Sequence, residues 1–303
     1  MHGLSLEVDA GETCMLVGPS GCGKTTTMKM INRLIEPTSG HIYLDGHDVM
    51  REDPVLLRLR IGYVIQQVGL FPHMTVADNV ATVPRILGWD RQRIRKRVDE
   101  LLALVGLDPA RFRRRYPAQL SGGQRQRVGV ARALGADPPV LLMDEPFGAV
   151  DRVARDRLQD EFVRIQQETR KTVVFVTHDI DEAIKLGDRI ALLSEGGHLE
   201  QYDTPAAILG RPATPFVQEF LGPDRALKRL AVLPIETAEL VTEERPGPEV
   251  PTSASLSEAL SAMLLAETDH VRVVDSNGTR VGTLTVAAIV KAAMPPAPDP
   301  RHV

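Results

Sequence analysis

The sequence lacks the features of a membrane-spanning, secreted or disulfide-stabilised protein. It has no apolar run of about 18 residues, the length at which a helix can cross a bilayer. It opens without the basic and then apolar segments of a secretory signal. Its two cysteines, Cys14 and Cys22, are too few for a disulfide framework. We therefore expect a cytosolic protein.

A strong excess of either charge is also missing. The net charge of −4 gives no reason to expect nucleic acid as a partner. Two basic runs, at residues 91–97 and 111–115, lack the ladder of aromatic residues on which single-stranded bases stack. Such runs are usually solvated faces of helices. We predict no nucleic-acid partner.

The chain does contain a regular alternation of apolar strands with helical segments. Residues 14–17, 61–65, 140–143 and 173–176 are short apolar runs, typical of parallel strands buried on both faces. Residues 68–134 follow a helical pattern, and Asp45-Gly46 indicates a hairpin. Leu4, Leu6 and Val8 alternate with polar residues, which predicts a half-buried strand. The pattern predicts an α/β core with an inserted helical segment.

Residues 18–25 read G-P-S-G-C-G-K-T and fit the phosphate-binding pattern G-x-x-x-x-G-K-[ST]. The glycines let successive backbone N–H groups point into one concavity, and the following helix adds its positive end. Lys24 would neutralise the β- and γ-phosphates, and Thr25 would offer its hydroxyl to Mg²⁺. The predicted nucleotide-binding residues are Gly18, Pro19, Ser20, Gly21, Cys22, Gly23, Lys24, Thr25 and Thr26.

A second string of small and polar residues, L-S-G-G-Q, occupies residues 120–124. At a helix N-terminus such residues present backbone donors to an anion, so the nucleotide would be gripped twice. With both strings the chain resembles the ATPase subunit of an ABC transporter over residues 1–222. The resemblance implies a P-loop NTPase (RecA-like) core with an inserted helical subdomain. It also implies ATP and Mg²⁺ as cofactors.

Two carboxylates, Asp144 and Glu145, follow the apolar run at 140–143. Carboxylates at the end of a buried strand are costly unless a cation lies near. By the family pattern Asp144 holds the metal, directly or through water, and Glu145 polarises the attacking water. The same pattern makes His178 a contact of the γ-phosphate.

The resemblance also assigns a glutamine, a signature sequence and an aspartate. Gln66 matches the residue that senses the metal and the lytic water, and its neighbour Gln67 stays an alternative. Asp151 matches the aspartate that crosses between subunits. The signature closes over the ATP of a second subunit, which implies a homodimer; it consists of Ser121, Gly122, Gly123 and Gln124.

Three further segments resemble the ATPases of bacterial osmoprotectant importers, which serve glycine betaine, choline and carnitine. They are residues 144–151, 175–189 and 224–230. This resemblance implies separate permease chains, a substrate-binding protein that acts through the permease, and a peripheral position on the cytoplasmic face of the membrane. The alternatives are an importer of another small solute, such as an amino acid, or a soluble ABC ATPase. Soluble members typically carry two cassettes or coiled-coil insertions, whereas this chain has one cassette and no heptads.

The composition changes near residue 222. Four prolines between residues 234 and 251 predict a linker, followed by a helix at 256–265, strands at 271–274 and 280–284, a helix from 286 and a disordered tail. Residues 250–294 resemble a cystathionine-β-synthase (CBS) repeat, with the matching string at 271–285. Residues 223–303 are therefore interpreted as a linker and a regulatory or dimerisation unit. Ala288 stands where that family has its ribose-binding aspartate. Ligand binding and simple packing both remain open, and Ala288 argues against a protein that is primarily a nucleotide sensor.

Two expectations concern the edges of the phosphate loop. In the family, a strand with an adenine-stacking aromatic residue comes first, and this sequence starts after that strand, so phosphate and Mg²⁺ contacts should dominate affinity. Cys22 lies at a helix start beside Lys24, a setting that favours a thiolate. We therefore predict that Cys22 reacts with thiol reagents before Cys14 does.

Overall fold

The computed structural model describes residues 3–65, 69–148, 150–243 and 245–294. The chain forms two compact units, Met1–Leu199 and Glu200–Val303. The resemblance to ABC ATPases predicts that the ATPase domain ends later in the chain, at residue 222. That division into functional domains stays a prediction. Across the described residues, helices of the length and apolarity needed to cross a membrane do not occur.

The first unit alternates strands and helices. Its strands are β1 (Thr13–Val17), β2 (Tyr43–Leu44), β3 (His47–Asp48), β4 (Ile61–Val64), β5 (Val140–Asp144), β6 (Thr172–Thr177) and β7 (Arg189–Leu193). Its helices are α1 (Lys24–Ile31), α2 (Pro54–Leu59), α3 (Val76–Val80), α4 (Thr82–Ile86), α5 (Arg91–Leu104), α6 (Pro109–Phe112), α7 (Gly122–Ala133), α8 (Arg152–Thr169) and α9 (Ile180–Leu186).

Five of these strands lie side by side in the order β4-β5-β6-β1-β7, and all their pairings are parallel. Every residue of β1 is buried, as are the first four residues of β5. This burial is expected of a parallel sheet covered on both faces, and it confirms the predicted α/β core. Because parallel strands end at the same edge, β1, β5 and β6 bring the segments that follow them together.

Helices α3 to α7 occupy the segment between β4 and β5, which confirms the predicted helical insertion. In α5 the buried face carries Val98, Leu101 and Leu102. The loop before α3 is held by Asn79, which is fully buried. Its side chain bonds the backbone of residues 71–75 at distances of 2.8 to 3.2 Å.

The predicted strand near the start of the chain is wrong. Leu4, Leu6 and Val8 are half-buried and their neighbours are exposed, so the alternation does separate two faces. Residues 3–9 nevertheless adopt no strand. Alternation shows which side chains face the protein, but a strand also needs a neighbour for its backbone hydrogen bonds.

The second unit carries the remaining elements. They are β8 (Leu199–Asp203), which begins at the boundary, α10 (Pro205–Gly210), α11 (Pro215–Leu221), α12 (Arg225–Val232), β9 (Glu249–Pro251), α13 (Leu256–Leu265), β10 (His270–Val274), β11 (Arg280–Thr285) and α14 (Val286–Ala293). Strand β10 pairs in parallel with β9 and antiparallel with β11. The elements predicted between residues 256 and 293 are confirmed, whereas the CBS assignment stays a prediction.

The first part of the stretch between α12 and β9, residues 233–238, is packed and is not a linker. Leu233, Ile235 and Ala238 are buried in the same core as Val271 and Leu284. The prolines fix φ along this stretch, but the apolar residues between them decide that it folds onto the unit. The linker predicted from residue 234 is therefore wrong for residues 234–238. The predicted disorder of residues 295–303 lies outside the described residues.

Candidate active site

The phosphate-binding loop joins β1 to α1 and depends on glycine. Gly18, Gly21 and Gly23 have φ of +153°, +83° and +108°, which other residues rarely adopt. A Cβ at Gly18 would lie 2.1 Å from the backbone oxygen of Leu193. The strand β7 next to β1 therefore leaves room for glycine alone at the first loop position.

Helix α1 begins without a cap from its own chain. Its N-cap residue is Gly23, which has no side chain to accept hydrogen bonds from the first turn. Amide groups at a helix start carry partial positive charge and bind anions. Ser20, Gly21 and Thr26 are exposed around this helix end. The loop thus presents backbone donors to an anionic ligand.

Lys24 lies inside the loop and is only 6% exposed. Its ammonium group donates to the backbone oxygens of Gly18 and Pro19 at 2.7 and 2.9 Å. It also lies 3.7 Å from the sulfur of Cys22. The carbonyl groups of the loop compensate the buried charge. They hold the ammonium group where the resemblance expects phosphate to bind.

Thr25 and Asp144 come together from α1 and the end of β5. The Thr25 hydroxyl donates to Asp144 Oδ1 at 3.1 Å. Burial raises the pKa of Asp144, and the charge of Glu145 adds to this effect, while Thr25, Lys29 and Lys24 oppose it. Hydroxyl and carboxylate oxygens are ligands that Mg²⁺ prefers, and a cation would offset the cost of burying the carboxylate. The pair therefore fits a magnesium ion.

Glu145 and His178 meet at the same edge of the sheet. Glu145 has φ of +43°, and its N–H donates to the oxygen of Val176 in β6 at 3.0 Å. A residue other than glycine in this left-handed conformation is uncommon and is typical of functional sites. Nδ1 of His178 lies 3.2 Å from Glu145 Oε1. The structure thus brings two of the predicted catalytic residues into contact.

The signature residues begin α7. Ser121 Oγ accepts from the N–H of Gln124 at 3.3 Å, and Gln124 Oε1 accepts from the N–H of Ser121 at 3.0 Å. This reciprocal cap fixes the helix start, and Ser121 and Gly122 are exposed. Asp151 caps α8 by accepting from Ala154 at 3.0 Å. One surface pocket is lined by Ser121, Gly123, Gln124 and Asp151 together with Arg127 and Arg157.

The structure does not describe the predicted metal-sensing glutamine, and it contradicts the predicted reactivity of Cys22. Gln66 and its alternative Gln67 lie outside the described residues, so the choice between them stays open. The predicted reactivity of Cys22 is wrong for this structure, because Cys22 is 1% exposed and Cys14 is also buried. A helix start favours the thiolate, but a reagent must still reach the sulfur.

Sequence reasoning missed two buried polar side chains, one of them on α9, the helix that begins two residues after His178. Gln159 of α8 donates to Glu182 of α9 at 3.1 Å, and both are at most 6% exposed. Glu182 shares the buried face of α9 with Ala183 and Leu186. An acidic residue on an apolar helix face could have indicated a buried hydrogen-bonding partner.

The geometry agrees with comparisons to known proteins. The family described as ABC transporter matches residues 1–148. The osmoprotectant import ATP-binding protein OsmV of Salmonella typhimurium is 51% identical over 92% of this chain and 72% of its own length. The chain belongs to the ABC transporter family. Within that family its relatives are ATP-binding subunits, as the sequence predicts.

Two further relatives extend this result. The glycine betaine/carnitine/choline transport ATP-binding protein OpuCA of Bacillus subtilis is 49% identical over 95% of this chain and 75% of that protein. The glycine betaine uptake system ATP-binding protein YehX of Escherichia coli is 48% identical over 94% of this chain and 92% of that protein.

A solved structure supports the same fold. It is a dimeric ATP-binding cassette in a post-hydrolysis state, bound to ADP and Pi. It is 38% identical, with a TM-score of 0.58, and the match covers 66% of this chain and 88% of that one. The predicted P-loop NTPase fold, ATP binding and ATPase activity are confirmed at the level of the family.

Proposed function

We propose that this chain hydrolyses ATP with Mg²⁺ to drive a bacterial importer of quaternary ammonium osmoprotectants such as glycine betaine, choline or carnitine. The observation that carries the reaction is the pairing of Thr25 with Asp144 and of Glu145 with His178 at one sheet edge. The cargo class rests on relatives named for osmoprotectant, glycine betaine, carnitine and choline transport.

The site residues divide the chemistry among them. Lys24 and the first amides of α1 hold the phosphates, and Mg²⁺ bound by Thr25 and Asp144 would neutralise charge on the β- and γ-oxygens. Glu145 accepts a proton from the water that attacks the γ-phosphorus. The bond from that phosphorus to the bridging oxygen breaks, and ADP and phosphate leave. His178 keeps the Glu145 carboxylate oriented and contacts the γ-phosphate.

The active unit that we infer is a homodimer with two shared sites. The signature residues from Ser121 to Gln124 meet the nucleotide held by the partner subunit, and Asp151 reaches across the interface. The pocket that Ser121 and Asp151 share supports this role, because it places both at one surface. Permease chains anchor the dimer at the cytoplasmic face of the membrane, and a substrate-binding protein acts through the permease.

The hydrolytic role is tested by Glu145→Gln in the purified full chain. ATP turnover should fall by roughly 10²-fold or more, the usual contribution of a general base. ATP binding should persist, and size-exclusion chromatography with MgATP should show a trapped dimer. The exposed Glu168→Gln is the matched control and should behave as wild type. Near-normal turnover of Glu145→Gln would refute the assignment.

The shared site is tested by mixing a Lys24→Ala chain with a Ser121→Arg chain. Their heterodimer should contain one intact site, formed by Lys24 of one chain and Ser121 of the other, while the second site carries both lesions. Photocrosslinking of nucleotide only to the chain that bears its own intact signature would contradict the model. The cargo is tested with the full transporter in proteoliposomes, where choline or carnitine should compete with labelled glycine betaine and glutamine should not.

A further inference from the structure

Beyond the residues that touch the nucleotide, we infer that Gln159 and Glu182 are positioning residues that hold His178 in place for hydrolysis. The inference rests on the proposed function, because it assigns the pair to the site of that reaction. It begins from two polar side chains that packing alone does not explain. Gln159 is 5% exposed and Glu182 is 6% exposed.

The side chains of Gln159 and Glu182 belong to one buried hydrogen-bond network, which also includes Thr177. Gln159 Nε2 donates to Glu182 Oε1 at 3.1 Å, and the hydroxyl of Thr177 also bonds the Glu182 carboxyl group. Burial raises the pKa of Glu182, and the bonds from Thr177 and Gln159 oppose that shift. An apolar side chain would fill the same space without this desolvation cost. The carboxyl group therefore has a use other than filling space.

The Glu182 carboxyl group helps to hold the two residues on either side of His178 in the chain. Thr177 ends β6, and its hydroxyl, besides bonding Glu182, accepts from the N–H of Asp179 at 3.0 Å. Asp179 in turn caps α9 by accepting from the N–H groups of Asp181 and Glu182 at 2.9 and 3.3 Å. Both chain neighbours of His178 are thus fixed to the first turn of α9. The exposed imidazole extends from these fixed neighbours and reaches Glu145.

Helix α8 joins this set through one face. Asp151, Arg155 and Gln159 are spaced four residues apart, so they lie along the same side of the helix. Arg155 donates to the oxygen of Val150 at 3.4 Å, and its Nη1 lies 3.8 Å from Asp179 Oδ2. Gln159 contacts Glu182 one turn later. This face of α8 thus contacts both Asp179 and Glu182, which follow His178 in the chain.

A second link between α8 and α9 supplies a matched control. Lys185 and Asp160 form an ion pair at 2.7 Å, but their side chains are 38% and 70% exposed. Exposed pairs contribute little and do not fix a geometry. Asp160→Asn therefore removes a bond between the same two helices without touching the buried set.

The experiment measures single-turnover ATP hydrolysis by the full chain, with enzyme in excess so that slow rates remain measurable. Glu182→Leu and Gln159→Leu should lower the rate by about fivefold or more, since small misplacements of reacting groups are costly. The ATP affinity should change by less than about twofold, because neither residue contacts phosphate. Glu182→Gln keeps an acceptor for Gln159 and should restore the rate, and Asp160→Asn should match wild type.

The His178→Ala background distinguishes positioning from general damage. If Glu182 acts through His178, then Glu182→Leu should have no further effect in that background, because the two losses are not additive. An equal loss in both backgrounds, or a wild-type rate in Glu182→Leu and Gln159→Leu, would overturn the inference. A wild-type rate in His178→Ala alone would instead refute the role proposed for His178. Should Glu182→Leu fail to fold, Gln159→Leu gives the same comparison.

Discussion

Thr25 and Asp144 are 119 positions apart in the chain, and their side chains meet at 3.1 Å where α1 and β5 converge. The contact joins the phosphate loop to the strand that carries the acidic pair. It places the two oxygens that we assign to Mg²⁺ next to each other.

Thr25→Val should selectively weaken the metal-dependent part of nucleotide binding. Valine has nearly the shape of threonine but no hydroxyl, so Asp144 loses a donor and the metal loses a ligand. Even residues that only orient metal ligands typically contribute about 10- to 100-fold to metal affinity, so we expect roughly a 10- to 100-fold loss of MgATP affinity. Titrations with MgATP and with ATP in EDTA measure the difference. Thr25→Ser should retain it, and an unchanged preference for MgATP in Thr25→Val would contradict the magnesium site.

Glu145 should be a site where glycine stabilises the fold. Its φ of +43° lies in the left-handed region, which costs a residue with a Cβ about 1 kcal/mol. Glu145→Gly and Glu145→Ala both lack the carboxylate, so in both the ATP turnover should fall by roughly 10²-fold or more, as in Glu145→Gln. The glycine variant should nevertheless be more stable than the alanine variant by about 1 kcal/mol in urea unfolding. Equal stability of the two would show that the backbone there is not constrained.

The stability of the Glu182→Gln variant relative to wild type should increase as the pH rises. Burial raises the folded-state pKa of Glu182, with Asp179 adding to the effect and Thr177, Gln159 and Arg155 opposing it. A raised carboxyl pKa contributes stability below the unfolded value, and that stability is lost as pH climbs through the folded value. Glutamine does not titrate. The difference in melting temperature between Glu182→Gln and wild type should therefore grow from pH 4 to pH 7.5, as read by differential scanning calorimetry; a difference independent of pH would contradict the buried titration.

Both cysteines should resist thiol reagents while the protein is folded. Cys22 is 1% exposed and Cys14 is fully buried, so neither sulfur is accessible. Brief treatment with a maleimide should label both slowly, and denaturation in urea should release two reactive thiols. Peptide mapping by mass spectrometry measures each site. Rapid labelling of Cys22 in the folded chain would show that the loop opens more readily than this conformation indicates.

Local patterns predict the elements around the site well, because the chemistry of each is local. A strand buried on both faces needs a continuous apolar run, as in β1 and β5, and a phosphate loop needs its glycines at fixed offsets. The positions of Ser121 and Asp151 at helix starts follow equally from their side chains, which cap α7 and α8. Such features depend on the few residues that a motif contains.

Other features depend on partners that are distant in the sequence. The backbone of Glu145 is held by the oxygen of Val176 on a neighbouring strand. The hydrogen bond from Gln159 to Glu182 joins two helices. The alternation at Leu4 to Val8 appears without a strand for the same reason, since the ladder partner is a property of the fold. A single sequence without covariation carries little information on these pairs.

The start of α1 has a consequence for the lifetime of the protein. The N-termini of helices α5, α7, α8 and α13 are capped by the side chains of their own N-cap residues. The N-cap residue of α1 is Gly23, which has no side chain to cap the helix. Under the proposed function, nucleotide phosphate would complete a secondary structure that the polypeptide leaves unfinished. A ligand at a hundred times its Kd adds about 2.7 kcal/mol to the free energy of unfolding. Depletion of ATP would therefore both stop the reaction and leave the chain more susceptible to proteases.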